Sequence, residues 1–239
     1  MEQAVLTQDQ KSVLALVGGD PDVKDIFYLS GGTALAAFYL QHRYSDDLDF
    51  FTDATDFPQM AVEKMAEKIR VVVGAEKTEY QRLYDRRIFF LKKPGGELKI
   101  EFTAYPFAAL RPRTRHDNVW VDSLEDLVAN KMMALMDRVE PKDFTDLYFL
   151  LREQHITLDQ IRVLVEQKFH LVINPVTLGA ELAKARLVTQ LPRMIKPLTT
   201  AQLKDFFSTC ARDLQADILS PCYEPLADKT YYQDCNWRA

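Results

Sequence analysis

Two rhythms of apolar residues alternate in the first half of this chain, and one of them takes over after about residue 120. Residues 8–17 carry apolar positions at helical spacing, and Ile26-Phe27-Tyr28-Leu29 is a short continuous apolar run of the kind buried in a sheet. That strand ends at Gly31-Gly32, after which Thr33 to Leu40 reads as a helix. Asp47-Leu48-Asp49-Phe50-Phe51 alternates as a strand, with Leu48 and Phe50 on one face and Asp47 and Asp49 on the other. A helix is predicted from Gln59 to Val72. Extended segments follow over Thr78–Tyr84, Arg87–Lys92 and Leu98–Tyr105, with a Lys93-Pro94-Gly95-Gly96 turn between the last two. From Ser123 onward nearly every pattern is helical. The expectation is an α/β (α+β) fold, with a mixed-sheet domain over residues 1–120 and a helical domain over residues 121–239.

The helical part breaks its own pattern once. On a helix capped by Ser123, with Asp126 completing a Ser-x-x-Asp box, Leu124, Val128 and Leu135 form one apolar stripe, and Lys131 falls in its middle. A lysine there must snorkel to water or meet an anion, because an unpaired buried ammonium is costly. Arg138 shares the face. A triphosphate would satisfy both cations; an internal salt bridge would satisfy Lys131 equally. The next helix starts near Pro141 and is apolar around most of its circumference through Phe144, Leu147, Phe149, Leu150 and Leu151. Asp143 lies in its first turn, where a capping role fits; Asp146, one turn on, is read as a partner of Lys131 or Arg138 or as a participant in the chemistry.

Composition narrows the class without naming an activity. The chain has 239 residues, 47% hydrophobic and 27% charged, as expected of a soluble globular protein. No stretch reads as a secretory leader or a membrane span, so a cytoplasmic location with no membrane partner is expected. Cys210, Cys222 and Cys235 lack metal-ligand spacing and are read as free thiols. Neither half is basic: Lys and Arg number 16 against 18 acids over residues 1–120, and 14 against 17 over residues 121–239. Nonspecific coating of nucleic acid is therefore excluded, and an RNA would have to be held at a local patch. The sequence offers Arg111-Pro112-Arg113-Thr114-Arg115-His116, with a plain solvated loop as the competing reading. His42 and His116 have no second histidine at ligand spacing and are read as surface residues.

The chemistry-bearing feature is the pairing of Ser30-Gly31-Gly32-Thr33 with Asp47 and Asp49. Glycines let a backbone approach phosphate closely, and the helix that follows turns its free N–H groups toward it. Two carboxylates one residue apart on a strand aim at one point, where Mg²⁺ can be shared with phosphate oxygens, and two such ions can clamp an in-line displacement. That combination reads as nucleotidyl transfer from an NTP. Glu101 shares a strand face with Lys99 and Thr103 and supplies a third acid, as a metal ligand or as acceptor of the hydroxyl proton; an ordinary solvent-facing glutamate is the bland alternative.

These residues carry a resemblance. Gly31 to Leu35, Arg43 to Phe50, and the later set Ser123 to Leu127, Asn130-Lys131, Ala134-Leu135, Arg138 and Lys142 to Leu147 resemble the AbiEii/AbiGii toxin family, a branch of the DNA polymerase β-like nucleotidyltransferases. The resemblance covers roughly residues 25 to 152 and leaves the last third without a motif. It implies a metal-dependent enzyme using Mg²⁺, two ions with Mn²⁺ as a substitute, and an NTP. The implied acceptor is RNA, the 3′ end of tRNA as in the related MenT toxins, and the implied partner is a cognate antitoxin. It implies Asp47, Asp49 and Glu101 as metal ligands, Ser30, Gly31, Gly32, Thr33, Lys131 and Arg138 as the nucleotide site, and Lys131 and Asp146 as further catalytic residues. A protein hydroxyl as acceptor, and a nucleotide-binding or interaction module without turnover, stand as the alternatives.

Overall fold

A computed structural model describes residues 5–55 and 57–219. Its centre is a seven-stranded mixed sheet in the order β3-β4-β5-β2-β1-β7-β6. The strands are β1 (Tyr28–Ser30), β2 (Leu48–Thr52), β3 (Lys77–Leu83), β4 (Arg86–Lys93), β5 (Gly96–Ala104), β6 (Thr114–His116) and β7 (Val119–Val121). β2 runs parallel to β5 and antiparallel to β1, and β1 runs parallel to β7. The helices are α1 (Gln8–Gly19), α2 (Gly31–Leu35), α3 (Gln59–Val72), α4 (Leu124–Asp137), α5 (Pro141–Glu153), α6 (Leu158–Phe169), α7 (Pro175–Ala183) and α8 (Thr200–Leu219).

Local chemistry explains most of these boundaries. Thr7 and Thr157 close full capping boxes with Gln10 and Gln160 at the starts of α1 and α6. Ser123 caps α4 by accepting from the Asp126 N–H, but the Asp126 carboxylate does not reach back to the Ser123 backbone. It accepts instead from the Leu110 N–H at 3.0 Å and from Lys168 of α6 at 2.6 Å, a fully buried ion pair that joins two helices. The strand at residues 26–29 is shifted to Tyr28–Ser30, and the following helix starts at Gly31 rather than Thr33. It continues as a wider π-helical turn over Ala36–Leu40 and stops at Gln41, whose φ of 51° is left-handed.

Strand alternation divides the sheet into two faces. Leu48, Phe50, Ile100, Phe102 and Phe89 lie on the face that α3 closes, where Arg87 bonds Gln59 of α3. Phe27, Phe50 and Phe102 are buried there ring against ring, each contributing about 1.5–3 kcal/mol relative to exposure. Ser30, Asp49 and Glu101 are in register with one another on the opposite face. The chain changes from strand to helix between Val121 and Leu124, yet buried residues of sheet and helices form one continuous cluster, from Val13 through Leu35, Phe102 and Phe144 to Phe207. No helix among the described residues is long and apolar enough to cross a membrane.

Candidate active site

The register of three strands assembles the acids. Asp49 of β2 stands opposite Ser30 of β1 on one side and Glu101 of β5 on the other, and Asp47 lies just before β2. Gly31, with φ of +70°, passes so close to Asp49 that a Cβ would collide with its Oδ2. At Gly32 a Cβ would sit 2.6 Å from Nη2 of Arg43. The glycine turn is therefore wedged between a carboxylate and a guanidinium, which only side-chain-free residues allow. The Thr33 hydroxyl donates to the Asp47 carbonyl, locking the turn onto the strand that carries the acids.

Asp49 has its carboxyl pushed up to about 6, first by burial and then by the neighbouring Glu101 carboxylate, with Lys99 acting in the opposite sense. Glu101 is buried too, but Arg86 bonds its Oε2 at 2.6 Å and Thr103 its Oε1 at 2.7 Å. Those bonds outweigh the burial and hold its carboxyl below the ordinary range. Lys99 bridges the acids, with Nζ 3.3 Å from Asp47 and 3.6 Å from Glu101. Among the described residues no three His, Cys, Asp or Glu side chains form a ready-made ion cage. Mg²⁺ is held by one or two carboxylates plus substrate phosphates rather than by an all-protein cage, so the Asp47 and Asp49 pair fits it. A divalent cation would also relieve the repulsion recorded in the raised Asp49. Oε1 of Glu101 already accepts from both Arg86 and Thr103, and Oε2 keeps a second lone pair for such a role.

A second cluster lies behind the glycine turn. Asp146 of α5 is fully buried and accepts from His42 Nε2 at 2.8 Å, from Arg43 Nε at 2.6 Å and Nη2 at 2.8 Å, and from Lys131 Nζ at 2.6 Å. Against the effect of burial, Arg43 and Lys131, with the hydrogen bond from His42, hold its carboxyl far below the usual range. Lys131 also reaches Asp143 at 3.2 Å, and Arg138 bonds Asp143 at 2.8 Å. The lysine in the apolar stripe thus takes the internal salt bridge, and Asp146 pairs with Lys131 rather than Arg138. Asp143 is no cap: Glu140 occupies that position and Asp143 is buried between two cations. His42 is no surface residue either. It is fully buried, burial pushes its pKa down, its Nδ1 has no partner among the described residues, and its Nε2 donates to the Asp146 carboxylate.

The Ser30 hydroxyl is committed within the protein. It donates to Oδ2 of Asp122 at 2.7 Å, Asn130 lies 3.4 Å from both, and all of this is buried or nearly so. Asp122 is pushed up to about 6, mainly by burial. The arginine loop is also largely committed. Arg113 bonds Asp53 at 2.6 Å and lies 3.5 Å over the Tyr28 ring, and Arg115 lies over Trp120. His116 of β6 is half-buried, tilted against Phe38 with ring centroids 4.5 Å apart. Cys210 is a free thiol, while Cys222 and Cys235 lie outside the described residues.

Arg43, His42, Asp122, Lys99 and Arg86 were not singled out by the sequence as site residues. Only Arg43 and Lys99 carried a signal, the first inside the Arg43-to-Phe50 motif and the second on the strand face of Glu101. The segment after α7 pins the Arg43 loop, since the Ile195 and Lys196 N–H groups both bond the His42 carbonyl, at 2.9 and 3.0 Å.

Comparison with known proteins gives this geometry a setting. The family model described as "Nucleotidyl transferase AbiEii toxin, Type IV TA system" matches residues 14–229. The uncharacterized Aquifex aeolicus protein aq_aa25 is 34% identical over 146 residues, a stretch spanning 60% of this chain and 66%, just under two thirds, of that protein. Among solved structures, JHP933 from Helicobacter pylori superposes with a TM-score of 0.54 at 17% identity, covering 87% of this chain and 91% of that one. The nucleotidyltransferase toxin MenT4 from Mycobacterium tuberculosis superposes with a TM-score of 0.52 at 16% identity, covering 87% and 84%. Both structural likenesses are likenesses of fold.

Proposed function

The chain belongs to the AbiEii nucleotidyl transferase toxin family, and on that premise we propose that it transfers a nucleoside monophosphate from an NTP to the 3′-terminal hydroxyl of an RNA, with tRNA as the acceptor class and Mg²⁺ as the metal. The observation that carries the reading is the contact of Gly31 with Asp49, which joins the glycine turn to a carboxylate in register with Glu101. Bound at Asp47 and Asp49, Mg²⁺ would supply charge neutralisation for the triphosphate and for the leaving pyrophosphate.

The protein's own groups have distinct tasks. The backbone at Gly31 and Gly32 receives the β- and γ-phosphates, and Arg43, fixed at Gly32 by Asp146, brings positive potential to the same place. Lys131 adds to that potential from within the buried network, and Arg138, half-exposed, borders it. Asp146 orients these cations and does not itself touch substrate. The acceptor hydroxyl oxygen attacks the α-phosphorus, the bond from that phosphorus to the bridging oxygen breaks, and pyrophosphate leaves with its electron pair. Glu101, kept ionised by Arg86, takes the hydroxyl proton. Preorganised charge and in-line placement then carry most of the rate. A cognate antitoxin belongs among its partners, in keeping with the family.

Incubation with each α-labelled NTP, Mg²⁺, total tRNA and cell lysate tests this. Label is expected on RNA, and Asp47→Ala or Asp49→Ala should lower it by at least about a thousandfold, the scale of losing a major electrostatic stabiliser. Label on protein alone would move the acceptor to a protein hydroxyl, and near-normal transfer by either variant would sink the site.

A further inference from the structure

Along one face of the sheet the strands β1, β2, β5 and β4 follow one another, so the glycine turn, Asp49, Glu101 and Arg86 lie in that order across it. If the NTP phosphates lie at the glycine turn, the acceptor enters from the β5–β4 side. Two cations stand there. Arg86 of β4 is opposite Thr103 and grips Glu101 with Nε and Nη2. Lys99 shares the strand face of Glu101 and lies against Asp47. We propose that Arg86 and Lys99 form the acceptor subsite, binding a backbone phosphate of the RNA next to its reacting 3′ end. The inference rests on the nucleotidyltransferase reading above and deepens it.

Three observations carry it. First, these cations still have donors to give. Glu101 uses two of the five guanidinium N–H groups of Arg86, whose side chain is 40% exposed. Arg43 and Lys131, by contrast, are buried and already bound to Asp146. Second, the arrangement is charge-complementary to a phosphate arriving with metal. Asp47, Asp49 and Glu101 face only Arg86 and Lys99, which leaves the ligand-free cluster slightly negative, and a divalent ion held by Asp47 and Asp49 would supply the positive charge that an arriving phosphate meets. Third, the chain carries a net charge of −5, and Arg113, the middle of the Arg111-to-Arg115 loop, is spent on Asp53 and Tyr28. A phosphate contact beside the reacting atoms also positions the hydroxyl, which a contact elsewhere on the surface does not.

Steady-state transfer to total tRNA, by the full chain and by Arg86→Ala and Lys99→Ala, decides the matter. Each variant should raise the KM for tRNA about tenfold, the scale of one charge-assisted hydrogen bond, with the KM for NTP unchanged within about twofold. Each should also flatten the logarithmic salt dependence of the tRNA KM by about 0.7, the slope of one single-strand phosphate contact. Lys99→Ala leaves the Arg86–Glu101 pair in place and so guards against a folding defect in the other variant. A fall in kcat alone, with both KM values unmoved, would assign Arg86 to holding Glu101 and overturn the proposal. If the unaltered protein labels only protein, this inference and the RNA reading fall together; if it labels tRNA while the variants keep its KM, this inference alone falls.

Discussion

Asp122 shows how a single carboxylate can cost stability for the sake of position. Its Oδ2 receives the Ser30 hydroxyl at the base of the glycine turn, and burial pushes it up to about 6. In the unfolded chain it titrates near its ordinary value of 3.8. Between pH 4 and 6 the folded protein holds a proton that the unfolded chain releases, so this group's contribution to stability falls as pH rises and is constant above about 6. Two pH units correspond to about 3 kcal/mol. Asp122→Asn keeps an oxygen for Ser30 and cannot ionise. In urea unfolding between pH 4 and 8, its advantage over the unaltered protein should grow by up to about 3 kcal/mol from pH 4 to 6 and then level off; an advantage that is flat with pH would refute the assignment. Asp122 was not legible in the sequence, because nothing local links it to a serine 92 residues earlier. Asp47 and Asp49 were legible because the period of a strand places them without any tertiary information.

At the scale of elements, α5 is fastened to the loop before β2 by charge. Asp146 binds His42, Arg43 and Lys131 with almost no water present. Asp146→Ala would leave a buried guanidinium and a buried ammonium uncompensated, and should cost about 3–5 kcal/mol in chemical denaturation. Asp46→Asn, which removes the exposed pair with Arg193, should change stability by less than about 1 kcal/mol. Equal effects would mean that burial does not set the energetics of this network. The elements themselves were readable where a cap marked the start, as at Ser123, or where apolar spacing was regular, as over Gln59–Val72. They were misread where tertiary contacts override local preference. His42 looks like a loop residue until the 190s segment folds over it, and the Asp126 box gives way to Lys168.

Taken whole, the molecule has one buried cluster in which residues from the sheet and from α4, α5 and α8 are continuous. It should therefore unfold in one cooperative transition, with circular dichroism, tryptophan fluorescence and calorimetry giving coincident midpoints. Two resolved transitions would instead divide it into a strand-bearing unit and a helical unit. The change of pattern near residue 120 was visible in the sequence; the sharing of one core across it was not, because periodicity shows which face is apolar and not what that face meets. The bonds that hold the glycine turn have a consequence in time. Ser30 awaits Asp122, and Arg43 awaits Asp146, 103 residues further along the chain, as well as the loop that bonds His42 near Ile195. A ribosome making this chain thus exposes the glycine turn, Asp47 and Asp49 long before it delivers the residues that hold them in place. The glycine turn of the growing polypeptide therefore gains its last fastening only after Ile195 and Lys196 have been made.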